Sequence, residues 1–446
     1  MESPDVVVVV LDTMRRSVLR MYGGEAGAPT LEALASQGVV YENCIASSPW
    51  TVPSHASLFT GLLPSRHGVH ETWDRKMGQV FGMMANVDTE TLPSYLSSRG
   101  YATACYSANA NIAVGSGFEK GFDSFSLMNI ADPDEKTKDM VELARKYGGT
   151  RKQAAWNLLR HGKVGDLARL YREDRKLRRY HKERNFPLFK GGDAIASSIS
   201  GLKLERPFFL FVNLLEMHEP YISGEAGAEP RPSVDLYGKR VVGPKLMASI
   251  RRKYAEEVGV VDSFVGKVVQ WLKATGAYEG AMVIATSDHG QALKEAGFYG
   301  HGAYMYDEIL EVPLIVKYPR GTRPPPAPGY QPLHRVQEVV KDWLAGVKDG
   351  ASLSSGHAVA EGFGVHFGTR NVKDAPDFES KRELFDRPRK AVYMGGMKLA
   401  LDGKDGSVLE FKKGGERASP SEMKEEFARM VGVIADLRDE GFALPR

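Results

Sequence analysis

The sequence predicts an α/β fold: a mixed, mainly parallel sheet with helices on both faces, plus a smaller C-terminal α+β region. Three observations predict it. Four apolar runs, Val6–Leu11, Pro207–Asn213, Ala281–Thr286 and Val312–Lys317, show no alternation with polar residues, so they read as strands buried on both faces. Segments of helical period lie between them, among them Thr89–Arg99 and the long stretch Pro244–Ala274. Polar residues then gather just behind three of the runs: Asp12 after the first, Glu216 and His218 after the second, Asp288 and His289 after the third. In an open α/β sheet the ligand crevice lies at the carboxyl ends of the strands, so these strand ends would bring acidic and imidazole groups to one place, as a metal site requires.

Past the fourth run, Pro324–Pro332 is a proline-rich linker or loop. A helix is expected near Leu333–Ala345, short strands at Lys390–Met394, Lys398–Leu401 and Ser407–Phe411, and a last helix over Ser421–Arg438. A chain of 446 residues exceeds what one core usually holds. The expected division is a catalytic unit over 1–323 and a smaller unit over 333–446. Within the first, about 136–205 reads as a basic helical insertion, with a broken apolar stripe of Leu158, Leu159, Leu167, Leu170, Tyr171 and Leu177.

The net charge of +3, with 42% apolar and 26% charged residues, is that of an ordinary globular enzyme rather than a polyelectrolyte binder. The charge is uneven: residues 151–190 hold thirteen Lys and Arg against four Asp and Glu. That segment reads as a solvated insertion, or as a basic cap that meets an anionic substrate or an anionic membrane surface. No nucleic-acid-binding motif accompanies it, and no nucleic-acid partner is expected. Cys44 and Cys105 form neither a metal-ligand spacing nor a disulfide framework. No apolar run reaches 18 residues, and Val6–Leu11 is too short for a signal-peptide core and has no basic region before it, so a cytoplasmic protein is expected. The sequence sets no oligomeric state.

The chemistry concentrates in four segments. In Leu11-Asp12-Thr13-Met14-Arg15, the Asp at a strand end is either a hard oxygen ligand or a cap for the following turn. In Trp50-Thr51-Val52-Pro53-Ser54-His55, Pro53 suits a first helical turn and Thr51 precedes it. The Thr51 hydroxyl would then cap free N–H groups, or an anion would occupy that helix N-terminus with Thr51 attacking it. In Thr286-Ser287-Asp288-His289-Gly290, Asp and His make a hard-to-borderline ligand pair, and His301 follows between Gly300 and Gly302, which allow close backbone approach. In Glu216-Met217-His218-Glu219, a carboxylate binds a metal or orients His218. Arg15 and Arg66 either bind substrate or tie down loops; His67 and His70 read as surface or loop-packing residues.

Taken in order, Asp12-Thr-x-Arg15, Thr51-x-Pro-Ser-His55 with Thr60-Gly and Pro64-Ser-Arg-His-Gly68, His218-x-Pro-Tyr221, and Ser287-Asp-His-Gly290 with Gly300-His-Gly302 resemble the sulfatase family of the alkaline-phosphatase superfamily. The resemblance covers about residues 5–320 and continues faintly through Tyr393–Leu399. It implies an alkaline-phosphatase-like fold and a divalent metal. Sulfatases carry a Cys or Ser, matured to formylglycine, in a C/S-x-P-x-R motif. Thr51 stands in that position here and His55 replaces the Arg, so no formylglycine is expected. Asp288-His289 stands where calcium sulfatases have Asp-Asn, and Thr13 where they have a second Asp.

A Thr nucleophile with Asp-His ligands is more similar to the phosphoryl branch, the lipoteichoic acid synthases and phosphoethanolamine transferases. That likeness implies Asp12, Thr51, Asp288 and His289 as metal ligands and Thr51, His218 and His301 as catalytic groups; Arg15, His55 and Arg66 are the candidate substrate contacts. One imidazole among hard oxygens favours Mn²⁺ or Zn²⁺, with Ca²⁺ third. The expected activity is hydrolysis of a phosphate mono- or diester through a covalent Thr51 intermediate. The alternatives are sulfate-ester hydrolysis, phosphoalcohol transfer to a glycan or lipid acceptor, and a non-catalytic binding protein on the same fold.

Overall fold

The computed structural model describes residues 3–71, 80–128, 151–183, 190–221, 235–238, 241–325, 328–366, 373–437 and 442–445. In chain order the strands are β1 (Val6–Leu11), β2 (Val39–Val40), β3 (Cys44–Ile45), β4 (Ala102–Ser107), β5 (Ser124–Leu127), β6 (Phe208–Leu214), β7 (Met282–Thr286), β8 (Ala292–Leu293) and β9 (Tyr299–Gly300). They continue as β10 (Leu314–Lys317), β11 (Gln331–Pro332), β12 (His357–Phe363), β13 (Pro388–Met394), β14 (Met397–Asp402), β15 (Val408–Lys413) and β16 (Glu416–Arg417).

The main sheet has seven strands in the order β2-β10-β7-β1-β6-β4-β5. β1 pairs parallel with β6 and β7, and β4 pairs parallel with β6 and β5, whereas β10 runs antiparallel to β7. The three strands whose ends carry the acidic and imidazole groups, β7, β1 and β6, are therefore neighbours at the centre. The mixed, mainly parallel sheet matches the sequence expectation.

β1 shows why its sequence has no polar position. Val6, Val8 and Val10 point into one core with Phe59 and Phe211, while Val7, Val9 and Leu11 enter another with Tyr254, Val258 and Val261. The second core is roofed by the helix Pro244–Ala274, whose Pro at the first helical turn and buried Val258, Val261, Val265 and Val268 fix its start and inward face. The first core holds the helix Thr51–Thr60, all ten residues of which are buried. It stops at Gly61, in the left-handed conformation (φ 73°), where a β-carbon would lie 1.7 Å from Gln337 Nε2.

The C-terminal sheet is antiparallel, in the order β12-β13-β14-β15-β16. One face, through Val392, Leu399, Leu401 and Phe411, packs on Met430 and Ile434 of the helix Lys424–Asp436. The other presents Ala358, Ala360, Ala391 and Ala400 to the first core, small enough for the sheet to lie close against the layer of the main sheet. Asp307 joins the two across this boundary. Its carboxylate accepts from Lys398 Nζ (2.7 Å), Lys412 Nζ (2.8 Å) and Tyr393 Oη (2.8 Å).

Nine strands were not anticipated from the sequence: six of two residues each (β2, β3, β8, β9, β11 and β16) and the longer β4, β5 and β12. β4 reads Ala-Thr-Ala-Cys-Tyr-Ser, too small and too polar to stand out as a buried run, and takes its strand state from pairing with β6. Of the expected basic insertion, the helices Arg151–Arg160 and Val164–Glu183 are present, while 136–150 and 184–189 lie outside the described residues.

Candidate active site

β1 delivers Asp12 and β7 delivers Asp288 and His289 to one buried point, where a ligand atom of each lies within 4.8 Å of the others. Asp12 Oδ2 accepts from Asn109 Nδ2 (2.7 Å) and Asn213 Nδ2 (3.4 Å). Asp288 Oδ1 accepts from the backbone N–H of His289 (2.9 Å) and of Thr13 (3.2 Å). The opposite oxygens, Asp12 Oδ1 and Asp288 Oδ2, are buried with no hydrogen-bond partner among the described residues. His289 Nδ1 donates to the Gly290 carbonyl (2.9 Å), which leaves Nε2 as a lone-pair donor 3.4 Å from Asp288 Oδ2. Two orphaned carboxylate oxygens facing an oriented imidazole fit a divalent cation.

Electrostatics point the same way. Burial, reinforced by Asp288, raises the Asp12 carboxyl above its usual range. Burial also pushes Asp288 up, but His289 and His55 outweigh it and hold that carboxyl below its ordinary value. Two buried carboxylates of this kind repel each other unless positive charge sits between them.

Thr51 is the first residue of its helix rather than the residue before it, and the Trp50 cap position makes no side-chain cap. The hydroxyl instead faces His289, with Oγ1 3.3 Å from Nε2. His55, one turn on, is fully buried behind this point: Nδ1 donates to the Thr51 carbonyl (3.0 Å) and Nε2 accepts from Asn213 Nδ2 (3.1 Å). That arrangement steadies the helix start.

A second group lies beside the first. His218, Glu219 and His301 also bring ligand atoms within 4.8 Å of one another. His218 Nδ1 donates to the Glu219 carbonyl (2.8 Å). His301 Nδ1 donates to Gln291 Oε1 (2.7 Å), and Gln291 Nε2 donates to Glu219 Oε2 (2.9 Å). Both imidazoles thus keep Nε2 for another partner. Burial and the neighbouring His289 and His218 lower His301 well below its usual value. Glu216 turns away from both groups, accepting from Gly192 N–H (2.9 Å) at the start of the helix Gly192–Ser200.

The two arginines part company. Arg15 pairs with Glu295 and its backbone N–H donates to Tyr254 Oη (2.9 Å). Arg66 is exposed, and its guanidinium reaches the Asp436 carbonyl of the last helix (3.5 Å). His67 is buried, with Nε2 3.0 Å from Ser57 Oγ, and His70 stacks on Phe363 at 3.7 Å between ring centres.

Sequence reasoning missed three contributors. Asn109 follows the unread strand β4, and Asn213 sits inside β6; both hold Asp12. His366 follows β12 and completes a ring stack, 5.1 Å from His301 and 5.0 Å from Trp50 between ring centres. It occupies the space over Gly302 (φ 84°), where a β-carbon would lie 2.2 Å from His366 Nδ1. The need for glycine at 302 was the available signal; its partner, 64 positions away in the chain, gave none.

A buried acid–imidazole cluster at the carboxyl edge of such a sheet, with a hydroxyl at a helix start facing it, can hold a divalent cation beside a nucleophile. The chain belongs to the sulfatase family, whose profile matches residues 4–345. It is 22% identical over 371 residues to the N-acetylglucosamine-6-O-sulfatase of Bacteroides thetaiotaomicron, covering 72% of this chain and 64% of that one. It is 22% identical over 383 residues to the iduronate 2-sulfatase of Mus musculus, covering 76% and 64%. The chain thus spans just under two thirds of the length of these relatives. Among solved structures, a 2-O GAG sulfatase superposes with a TM-score of 0.65 at 16% identity, covering 98% of this chain and 92% of the other. The phosphonate monoester hydrolase of Agrobacterium radiobacter superposes with a TM-score of 0.60 at 15% identity, covering 98% and 97%.

Proposed function

We propose that the chain hydrolyses an anionic ester by attack of the Thr51 hydroxyl, with sulfate esters as the first substrate class and phosphate mono- or diesters as the second. The relatives favour sulfate, against the order expected from the sequence, because the named ones are sulfatases. Phosphate stays as the second reading on one observation: residue 51 is Thr, not the Cys or Ser that formylglycine formation in sulfatases starts from. The observation that carries the hydrolase reading itself is the Thr51 Oγ1–His289 Nε2 contact at 3.3 Å beside two buried carboxylate oxygens that have no hydrogen-bond partner among the described residues.

Asp12, Asp288, His289 and Thr51 would hold a divalent cation, Mn²⁺ or Zn²⁺ ahead of Ca²⁺, that supplies charge to lower the hydroxyl pKa and to offset the substrate anion. The other groups belong to the chain. Asn109 and Asn213 fix Asp12, and the Gly290 carbonyl fixes the His289 tautomer. The Thr51 hydroxyl releases its proton to water, its oxygen attacks the central atom in line, the bond to the leaving alkoxide breaks, and the sulfuryl or phosphoryl group moves to the Thr51 oxygen. His218 gives the leaving alkoxide its proton, because burial works against its protonated form but Glu219 and Asp12 outweigh that, while His301, held neutral by burial, lines the site beside it. Water then cleaves the Thr51 ester and regenerates the hydroxyl. Trp50 and His366 wall the site and exclude solvent. Arg15 stands near the site as a candidate substrate contact.

The test is a panel of aryl sulfate, aryl phosphate and bis-aryl phosphate, run on metal-stripped protein reloaded separately with Mn²⁺, Zn²⁺ and Ca²⁺, with Thr51→Ala in parallel. Metal-dependent sulfate turnover lost in the variant supports the first class, and the same pattern on phosphate or phosphodiester supports the second. Turnover that Thr51→Ala leaves unchanged removes the mechanism.

A further inference from the structure

The ester-hydrolase reading leaves the basic helical hairpin unused, and its surface is not that of a solvated spacer. The helices Arg151–Arg160 and Val164–Glu183 close on a tight turn at Gly162 (φ 65°), with Gly162 N–H donating to Leu159 O (3.1 Å) and Lys163 N–H to Leu158 O (2.9 Å). Leu158 and Leu170 are buried, so the hairpin already has an inward apolar side. It nonetheless exposes a second apolar set: Trp156 (65%), Leu159 (59%), Val164 (69%) and Tyr171 (69%).

These residues sit at helical spacing with exposed cations. On the first helix Leu159 and Arg160 lie three and four positions after Trp156; on the second, Tyr171, Arg172 and Arg175 lie seven, eight and eleven after Val164, again a helical repeat. Arg169 and Lys163 are exposed as well. Across residues 151–190 the excess of nine positive charges stands out against a chain of net charge +3. Large exposed apolar side chains clustered at a turn cost solubility unless something covers them. A soluble polyanion would need only the charge. A lipid surface takes both features at once: aromatic and aliphatic groups enter the headgroup–acyl boundary, Arg and Lys meet anionic headgroups, and tyrosine and tryptophan rings suit that interface. Among the described residues no helix is long and apolar enough to cross a membrane, so such contact would be peripheral.

We propose that the 151–183 hairpin docks the enzyme on an anionic membrane surface through Trp156, Leu159, Val164 and Tyr171, with Arg160, Lys163, Arg169, Arg172 and Arg175 on the headgroups. The test is flotation of the full chain with vesicles of phosphatidylcholine alone or mixed with phosphatidylglycerol, at low and high salt, with soluble heparin as a separate probe. It reads binding only and is independent of any ester turnover. Binding is expected to the mixed vesicles alone and to weaken with salt. Removal of each Arg charge lowers partitioning by roughly fivefold. Trp156→Ser with Tyr171→Ser, which leaves the charge unchanged, lowers it by roughly tenfold or more, while thermal melting stays as in the parent. Absence of vesicle binding overturns the proposal. So does vesicle binding indifferent to the two apolar substitutions with equal binding to heparin, which assigns the patch to soluble polyanions.

Discussion

Thr51 Oγ1 lies 3.3 Å from His289 Nε2, although the two residues are 238 positions apart in the chain. The contact exists because a helix start and the end of a central strand meet beneath one buried point. The hydroxyl is turned toward the acid–imidazole cluster rather than toward its own helix N–H groups.

If that point holds a cation, removing one carboxylate should have opposite effects with and without metal. In metal-free protein Asp12→Asn relieves repulsion between two buried carboxylates, so the melting temperature should stay level or rise. The upward shift that Mn²⁺ or Zn²⁺ gives the parent through preferential binding to the folded state should disappear. Calorimetry with and without metal checks both halves; a metal-induced shift retained in Asp12→Asn would count against this ligand set.

His366 brings a ring from the C-terminal unit onto His301. His366→Ala should leave metal stoichiometry unchanged and lower kcat/KM by roughly tenfold, mainly through KM, the worth of about one aromatic contact. Unchanged KM would remove His366 from the substrate wall.

Asp307 links the two sheets, and its carboxyl is held at about 2 against an ordinary 3.8: burial pushes it up, but Lys398 and Lys412 outweigh that. A depressed carboxyl stabilises the fold above its unfolded pKa, and the contribution disappears as pH falls toward the folded value. Asp307→Asn should therefore cost about 2 kcal/mol at neutral pH. Denaturant titrations should show the gap to the parent closing below about pH 4. A gap independent of pH would mean that the ion pairs do not carry the effect.

Thr13 occupies the left-handed region (φ 63°), which a β-branched residue adopts only under constraint, while its N–H donates to Asp288. Its own hydroxyl is buried and has no partner among the described residues. Thr13→Gly keeps the N–H and releases the strain, so stability should rise by up to about 1 kcal/mol. A lower urea midpoint would show that the methyl and hydroxyl groups matter more than the backbone.

Where the sequence carried long one-signal patterns, the fold was readable. Val6–Leu11 and Pro244–Ala274 are found with the bounds their periodicity suggests, and the convergence of Asp12, Asp288, His289 and His218 follows from strand ends that are neighbours. What could not be read depends on partners distant in the chain. β4 is a strand because β6 pairs with it, Asn109 matters because it reaches Asp12 from β4 with β6 between the two strands, and His366 matters because Gly302 leaves room for it. Arg66 shows the reverse: a motif residue that the structure places on the surface against the last helix.

The central claim, that Thr51 carries the transferred group, is tested most directly by quenching metal-loaded protein in mid-turnover and locating any adduct by peptide mass spectrometry. The account predicts one sulfuryl or phosphoryl group on the peptide containing Thr51, absent in Thr51→Ala, whose turnover falls on the order of a thousandfold. An adduct on another residue, or a Thr51→Ala protein that turns over at the parent rate, would contradict it.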